Sequence, residues 1–270
     1  MTLRRQIRLV VFAVILPTLA TVASAQETQA PSTFEPRVGQ AGKDVVWVPT
    51  PQALIDKMLD MAQVTPQDFL IDLGSGDGRT VIAAAKRGLS AQGIEYNPDM
   101  VELARRNAAA EGVSERAVFS NADLFESDFS KAQVLTMFLL PQINMKLRPA
   151  ILNMTPGTRV VSNSFTMEGW QADQSERLPD CGSWCTAHLW IVPARVAGTW
   201  QLPQGTLTLR QEFQMISGTL GSTPLTDGRL RGDEITFAAG SAVFNGRVQG
   251  SAMRGTITGG DGGAFSGTRQ

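Results

Sequence analysis

The junction at residues 69 to 79 constrains this chain more than any other feature. Phe69-Leu-Ile-Asp-Leu73, an apolar run of strand length, passes directly into Gly74-Ser-Gly-Asp-Gly-Arg79, and a segment with Val81, Ile82 and Ala85 at helical spacing follows. An apolar run without polar alternation suits a strand covered on both faces. Glycines immediately behind it let the backbone turn sharply against a ligand, and the next helix offers its unpaired N–H groups there. The pattern then repeats. Ala91 to Glu95 predicts a second strand, Pro98 to Glu111 a second helix, Ala117 to Ser120 a third strand and Val134 to Leu140 a fourth. Strands alternating with helices predict an α/β domain with a parallel sheet and helices on both faces. Ahead of it, Thr50-Pro51 predicts an N-cap followed by proline at the first helical position, with Leu54, Met58, Leu59 and Met61-Ala62 on the apolar face.

The glycine spacing narrows the ligand. In a dinucleotide-binding turn the third glycine falls three residues after the second. Here the glycines alternate as Gly74, Gly76 and Gly78 and position 79 is Arg, which disfavours a nicotinamide dinucleotide. Acids accompany the turn: Asp72 precedes it, Glu95 closes the second strand, and Asp123 sits in Asn121-Ala-Asp-Leu124. Asp72 to Arg79, with those two later acids in order, resembles the class I S-adenosylmethionine (SAM) methyltransferases. The resemblance implies a Rossmann-like class I methyltransferase sheet and SAM as cofactor. It implies that Asp72 and the glycine turn hold the methionine end, that Glu95 takes both ribose hydroxyls, and that Asp123 meets the adenine amino group. A carboxylate suits the ribose because it only accepts and has room for two donors. Thr50, Asp72, Gly74, Ser75, Gly76, Asp77, Gly78, Glu95, Asp123 and Leu124 form the expected cofactor-binding set. Arg79 reads equally as a surface partner.

Val48-Pro-Thr-Pro51, Asp72 to Arg79, Val81 to Lys86, Gly93-Ile-Glu-Tyr-Asn-Pro98 and Leu139-Leu-Pro141 together resemble a smaller family. It is the lysine methyltransferase family that includes the mitochondrial ATP synthase c-subunit lysine methyltransferase. The resemblance covers about residues 45 to 195 and implies a methyltransferase, with lysine as its suggested acceptor. In class I enzymes the end of the fourth strand borders the transferred methyl, and here it reads Met137-Phe-Leu-Leu-Pro-Gln-Ile-Asn-Met-Lys146. The Asn/Asp-Pro-Pro-Tyr of enzymes acting on planar amide nitrogens is missing, so base or glutamine methylation loses support. A lysine nucleophile must lose its proton, which an apolar wall favours by lowering its pKa. Phe138 and Leu140 are expected to supply that wall and Gln142 or Asn144 to orient the acceptor; Phe138, Pro141 and Asn144 are the catalytic-end candidates. His188, the one histidine, reads as a satisfied residue of a late sheet strand, and no metal site is expected.

The ends of the chain read differently. Arg4, Arg5 and Arg8 precede an apolar run from Leu9 to Val22 and then Ala23-Ser-Ala25, the pattern of a signal peptide over residues 1–25. The run is short for a bilayer span, which needs about 20 apolar residues. The expected location is therefore periplasmic or secreted with no stable membrane span after cleavage, or inner-membrane anchored if the signal stays. Arg4-Arg5 leaves both general and twin-arginine export open. Residues 26–44 read as a flexible leader. In an exported chain, Cys181 and Cys185 are expected to close a small disulfide loop. Removing the three leader arginines leaves 21 basic against 25 acidic residues. That balance gives no phosphate-backbone footprint, so nucleic acid is not an expected partner.

Residues 196–270 hold 15 of the 26 glycines, and helical periodicity disappears there. Short alternating runs separated by turn signals such as Asp227-Gly228 and Asn245-Gly246 predict a small all-β antiparallel barrel or meander with a packed interior. Arg229-Leu-Arg-Gly232 and Arg247-Val-Gln-Gly250 form a weak repeat. The expected function is methyl transfer from SAM to a nucleophile, with an envelope-protein lysine as the suggested acceptor. The alternatives are an exported methyltransferase-like binding protein without turnover and an adhesive or structural envelope protein.

Overall fold

β1 (Phe69–Leu73) is buried along nearly its whole length, as its apolar residues on either side of Asp72 require, and it lies at the middle of the first sheet. A computed structural model describes Thr2 and residues 34–179 and 181–270. The expected signal peptide, Thr2 apart, and leader residues 26–33 lie outside the described residues. Around β1 stand β2 (Ser90–Glu95), β3 (Ala117–Asn121), β4 (Val134–Met137), β5 (Arg159–Asn163), β6 (Gln174–Arg177) and β7 (Thr186–Ile191). Their order is β3-β2-β1-β4-β5-β7-β6. The first five are parallel, whereas β7 runs antiparallel to both β5 and β6. Neighbouring residues point to opposite faces. Leu70, Val134, Val161 and Leu189 pack beneath α1 (Gln52–Met61), α2 (Arg79–Lys86) and α3 (Pro98–Ala110). Ile71, Leu135, Val160 and Trp190 face α4 (Pro141–Ile151) on the other side. Each such side chain contributes about 1.5–3 kcal/mol when fully buried.

Several local expectations change. The strand expected to reach Leu140 stops at Met137, because Leu140 becomes the extended N-cap of α4 and Pro141 opens that helix. Proline lacks an N–H but needs none in a first turn. The N-cap of α1 is Pro51 rather than Thr50, whose hydroxyl instead accepts from Asn163 Nδ2 at 3.3 Å. The described end of the leader is structured: Gly39 N–H donates to the Trp47 carbonyl at 2.8 Å and Trp47 N–H to the Gln40 carbonyl at 2.9 Å. These bonds satisfy backbone groups that a free leader would leave to water.

The remaining strands are β8 (Gly198–Leu202), β9 (Gly205–Glu212), β10 (Met215–Leu220), β11 (Thr223–Arg231), β12 (Glu234–Ala239), β13 (Ala242–Gln249), β14 (Ala252–Thr258) and β15 (Gly263–Arg269). They form an antiparallel meander that closes as a barrel where β15 meets β8. Trp200, Phe237, Phe244 and Phe265 fill the interior, with Phe237 and Phe244 stacked at 4.7 Å. Two expected turns lie inside strands. Asp227-Gly228 is a bulge of β11, where the register shifts and Asp227 has φ +52°. Asn245-Gly246 lies in the middle of β13, where Gly246 pairs with Gly255 of β14. A Cβ on either would come within 2.8 Å of the Phe265 ring, so these glycines make room for it instead of turning the chain. The turns fall at residues such as Gly221-Ser222, Gly232-Asp233 and Gly250-Ser251.

The barrel packs on the α/β layer. Phe213 stacks on Trp170 at 5.9 Å, Gln214 Nε2 donates to the Gln171 carbonyl at 2.7 Å, and Arg229 pairs with Asp173 at 2.7 Å. No described helix is long and apolar enough to cross a membrane.

Candidate active site

In a parallel sheet the segments leaving the strand C-termini share one edge, so strand order becomes spatial order. From β3 inward, that edge carries Asp123, then Glu95 at the end of β2, then Asp72 and the glycine turn at β1, then Phe138 behind β4 and Phe165 behind β5. Because β7 is antiparallel, the loop entering it, with Trp184, returns to the same edge. All these residues line one cavity of about 520 Å³. Gln40 to Thr50, from the leader end, close another side of it.

The glycine turn is shaped by what packs against it. Gly74, Gly76 and Gly78 have φ of +75°, +53° and +83°, a region that side chains avoid. A Cβ on Gly76 would lie 2.7 Å from Trp47 Nε1, and one on Gly78 would lie 2.7 Å from Phe119 Cζ. Gly76 N–H donates to Glu95 Oε2 at 3.0 Å and Asn97 N–H to Glu95 Oε1 at 2.9 Å. Two backbone donors thus pin the carboxylate while each oxygen keeps a second lone pair. Asn97 also caps α3 by accepting from Asp99 N–H at 2.9 Å, which fixes the chain behind Glu95.

Asp72 is buried and accepts from the Thr136 hydroxyl at 2.7 Å. Burial pushes its pKa up to about 7; the Thr136 hydrogen bond opposes this, and the charges of Glu95 and Asp77 add to it. Asp77 is committed to Arg79, whose Nε and Nη2 reach it at 2.9 and 2.6 Å, while Arg79 Nη1 donates to the Thr50 carbonyl at 3.2 Å. Asp123 accepts from Phe125 N–H at 2.9 Å and pairs with Lys43, whose hydrogen bond holds the carboxyl below its usual range. Lys43 also lies 4.6 Å from the centre of the Tyr96 ring. His188 meets Ser175 Oγ at 2.8 Å in the β6–β7 pair, and burial lowers its pKa.

Thr50, Asp72, Gly74, Ser75, Gly76, Asp77, Glu95, Asp123, Leu124 and Phe138 all line the cavity. Four expected residues do not. Gly78 turns away to let Phe119 and Ala104 pack. Pro141 serves the helix start, and Asn144 is fully buried with Nδ2 on the Phe165 and Thr166 carbonyls at 3.4 and 3.2 Å. It braces the loop behind β5 rather than facing an acceptor. Gln142 is exposed on α4. Trp47, Lys43, Phe165 and Trp184 also line the cavity without having been expected there; nothing local to them signals a site, and only the fold brings them to it.

The cavity suits an adenosyl sulfonium ligand: acids with spare lone pairs lie at one end, and Leu139, Leu140 and Ile143 line the other without a charge. Ser75 Oγ, buried beside it, has no hydrogen-bond partner among the described residues. Residues 72–174 match the family model of the ANTKMT methyltransferase domain. A protein-lysine N-methyltransferase of Saccharolobus islandicus is 38% identical over 151 residues, covering 55% of this chain and 94% of that protein. The human lysine N-methyltransferase of the ATP synthase c-subunit is 35% identical over 128 residues, 47% of this chain and 54% of the human one; the chain thus spans about half the length of that relative. Among solved structures, an RNA methyltransferase from Salinibacter ruber in complex with S-adenosyl-L-homocysteine is 44% identical, with TM-score 0.52, covering 55% of this chain and 96% of that one.

Proposed function

Belonging to the family of SAM-dependent methyltransferases that includes the Saccharolobus islandicus lysine enzyme, this chain is a methyltransferase, and we propose that its acceptor is a lysine ε-amine of an envelope protein. The observation that carries this reading is the polarity of the cavity along the strand order. Glu95 is positioned to accept from the ribose hydroxyls, and Asp72 with the glycine turn to hold the amino-acid end. Asp123, with Lys43, borders the adenine end.

Bound SAM supplies a methyl already activated on a sulfonium. The protein therefore needs to align a neutral nucleophile and keep water away. Phe138, Leu139, Leu140, Ile143, Phe165 and Trp184 contain no ionisable group. An amine entering among them is pushed toward its neutral form by desolvation, its proton leaving to solvent before transfer. No side chain at that end has to act as a base.

A second reading is favoured by the Salinibacter ruber relative, an RNA methyltransferase by name. The surplus of acids over bases in the chain without residues 1–25 argues against a polyanion. Incubating the protein and methyl-tritiated SAM with an envelope fraction separates the two. The lysine reading expects protease-sensitive label that hydrolysis releases as methyl-lysine; ribonuclease-sensitive label would overturn it.

The reading includes export. The pattern of residues 1–25 and the Cys181–Cys185 bond support a periplasmic or secreted protein, since disulfides persist in oxidising compartments. Mass spectrometry of the periplasmic protein is expected to find Gln26 as its first residue; an intact Met1 form confined to the cytosol would contradict it.

A further inference from the structure

Phe138, Phe165 and Trp184 come from three separate segments and meet at the apolar end of the cavity. Their ring centres are 6.0 Å apart for Phe138 and Phe165, 6.3 Å for Phe138 and Trp184, and 5.1 Å for Phe165 and Trp184. Core packing does not account for Trp184, which is 46% exposed although its ring is the largest apolar surface in its loop. Its backbone is also unusual. Trp184 has φ +61° and Ser164, next to Phe165, has φ +59°, so both aromatic segments contain a left-handed non-glycine residue. Such conformations cost free energy and persist where surrounding contacts impose them, often at ligand sites.

The imposing contacts can be named. The Cys181–Cys185 bond closes the loop that carries Trp184. Leu178 N–H donates to the Cys185 carbonyl at 2.9 Å, and Ser164 N–H to the Thr186 carbonyl at 2.6 Å, tying that loop to the segment bearing Phe165. Asn144 holds the same segment from below through the Phe165 and Thr166 carbonyls. A loop closed over so few residues gains little stability from chain entropy. Its effect is on where Trp184 points.

We propose that Trp184, with Phe138 and Phe165, forms the acceptor subsite, taking the alkyl stem and amine of the incoming lysine against the ring faces. The Cys181–Cys185 bond and Asn144 act as positioning residues. Aromatic faces suit this ligand because they pack against its methylenes and exclude water from its amine, the desolvation that favours the neutral nucleophile. The inference rests on the lysine reading above.

Fluorine NMR of the full chain carrying 5-fluorotryptophan and saturated with S-adenosylhomocysteine tests it, the Trp184 signal being assigned with Trp184→Phe. n-Butylamine, as the lysine side chain, and uridine, as a nucleoside, are titrated separately. The proposal expects butylamine to shift the Trp184 signal saturably. In a Cys181→Ser/Cys185→Ser variant the butylamine affinity is expected to weaken at least tenfold while S-adenosylhomocysteine affinity changes less than twofold. Trp184→Phe is expected to keep most of the butylamine affinity, followed through its effect on methyl transfer, and Trp184→Ala to lose it. An unmoved Trp184 signal, or equal butylamine affinity without the disulfide, would overturn the subsite. If methyl-lysine still formed in the labelling experiment, only the subsite would fall. A shift with uridine alone would overturn the lysine reading itself.

Discussion

Asp72 shows how one buried carboxyl couples folding to ligand binding. Burial raises its pKa from 3.8 to about 7, so the folded chain keeps a proton there that the unfolded chain releases. The stability this group contributes is thus complete below pH 3.8 and lost as pH rises through about 7. Ionised Asp72 can receive a cationic amino group, whereas protonated Asp72 cannot. SAM affinity is therefore expected to tighten as pH rises through about 7, with proton release on binding, and Asp72→Asn should flatten that dependence. Calorimetry in two buffers of different ionisation enthalpy reads both effects. Glu95 makes a different prediction, because its carboxylate is pinned by Gly76 and Asn97 and needs no reorganisation to accept two hydroxyls. Hydrogen bonds to a charged group are worth about 1.5–3 kcal/mol each. Glu95→Ala should weaken SAM binding roughly a hundredfold or more, at about 1.4 kcal/mol per tenfold. Unchanged affinity in a titration would remove Glu95 from the cofactor site.

Elements differ in how openly their sequences announce them. The β1–turn–α2 unit is legible because its apolar run, its alternating glycines and its helical spacing are all local. Glu95 and Asp123 are legible for the same reason, the first closing a strand and the second standing just beyond one. α4 is not legible, because Pro141 and Pro149 read as breaks although one opens the helix and the other lies exposed in it. Asn245-Gly246 misleads because its glycine answers to Phe265, a residue of another strand. Phe165 and Trp184 reach the cavity through strand order and the antiparallel entry of β7, and Trp47 through the segment paired with Gly39 and Gln40 before α1, none of which a local pattern records. The barrel glycines give a test at this scale. Gly255→Ala places a Cβ 2.1 Å from the Asn245 carbonyl oxygen and 2.6 Å from the Phe265 ring. Overpacking of this kind costs about 1–3 kcal/mol. Thermal unfolding should shift down while S-adenosylhomocysteine affinity stays unchanged; an unshifted midpoint would mean that Phe265 has room to spare.

At the scale of the whole molecule, the α/β layer and the barrel share a packed seam. Trp170 is 1% exposed, lies 6.2 Å from Trp190 and stacks on Phe213 of the barrel. Truncating a buried Trp costs about 3–5 kcal/mol. Trp170→Ala is expected to lower stability and to split a single calorimetric unfolding transition into two; one unsplit transition would place the coupling elsewhere, for example in the Arg229–Asp173 pair. Strand order acts at this scale too, since it lays out the cavity across the sheet edge from Asp123 and Glu95 to Phe138, the direction the proposed site gives the cofactor. A crystal structure of the complex with S-adenosylhomocysteine, its sulfur located by anomalous scattering, reads that direction without intermediate steps. Adenosine is expected over Glu95 and Asp123 with the sulfur between Asp72 and Phe138, facing the aromatic end. Adenosine seated among Phe138, Phe165 and Trp184, with the sulfur toward Asp123, would overturn the assignment of the whole site.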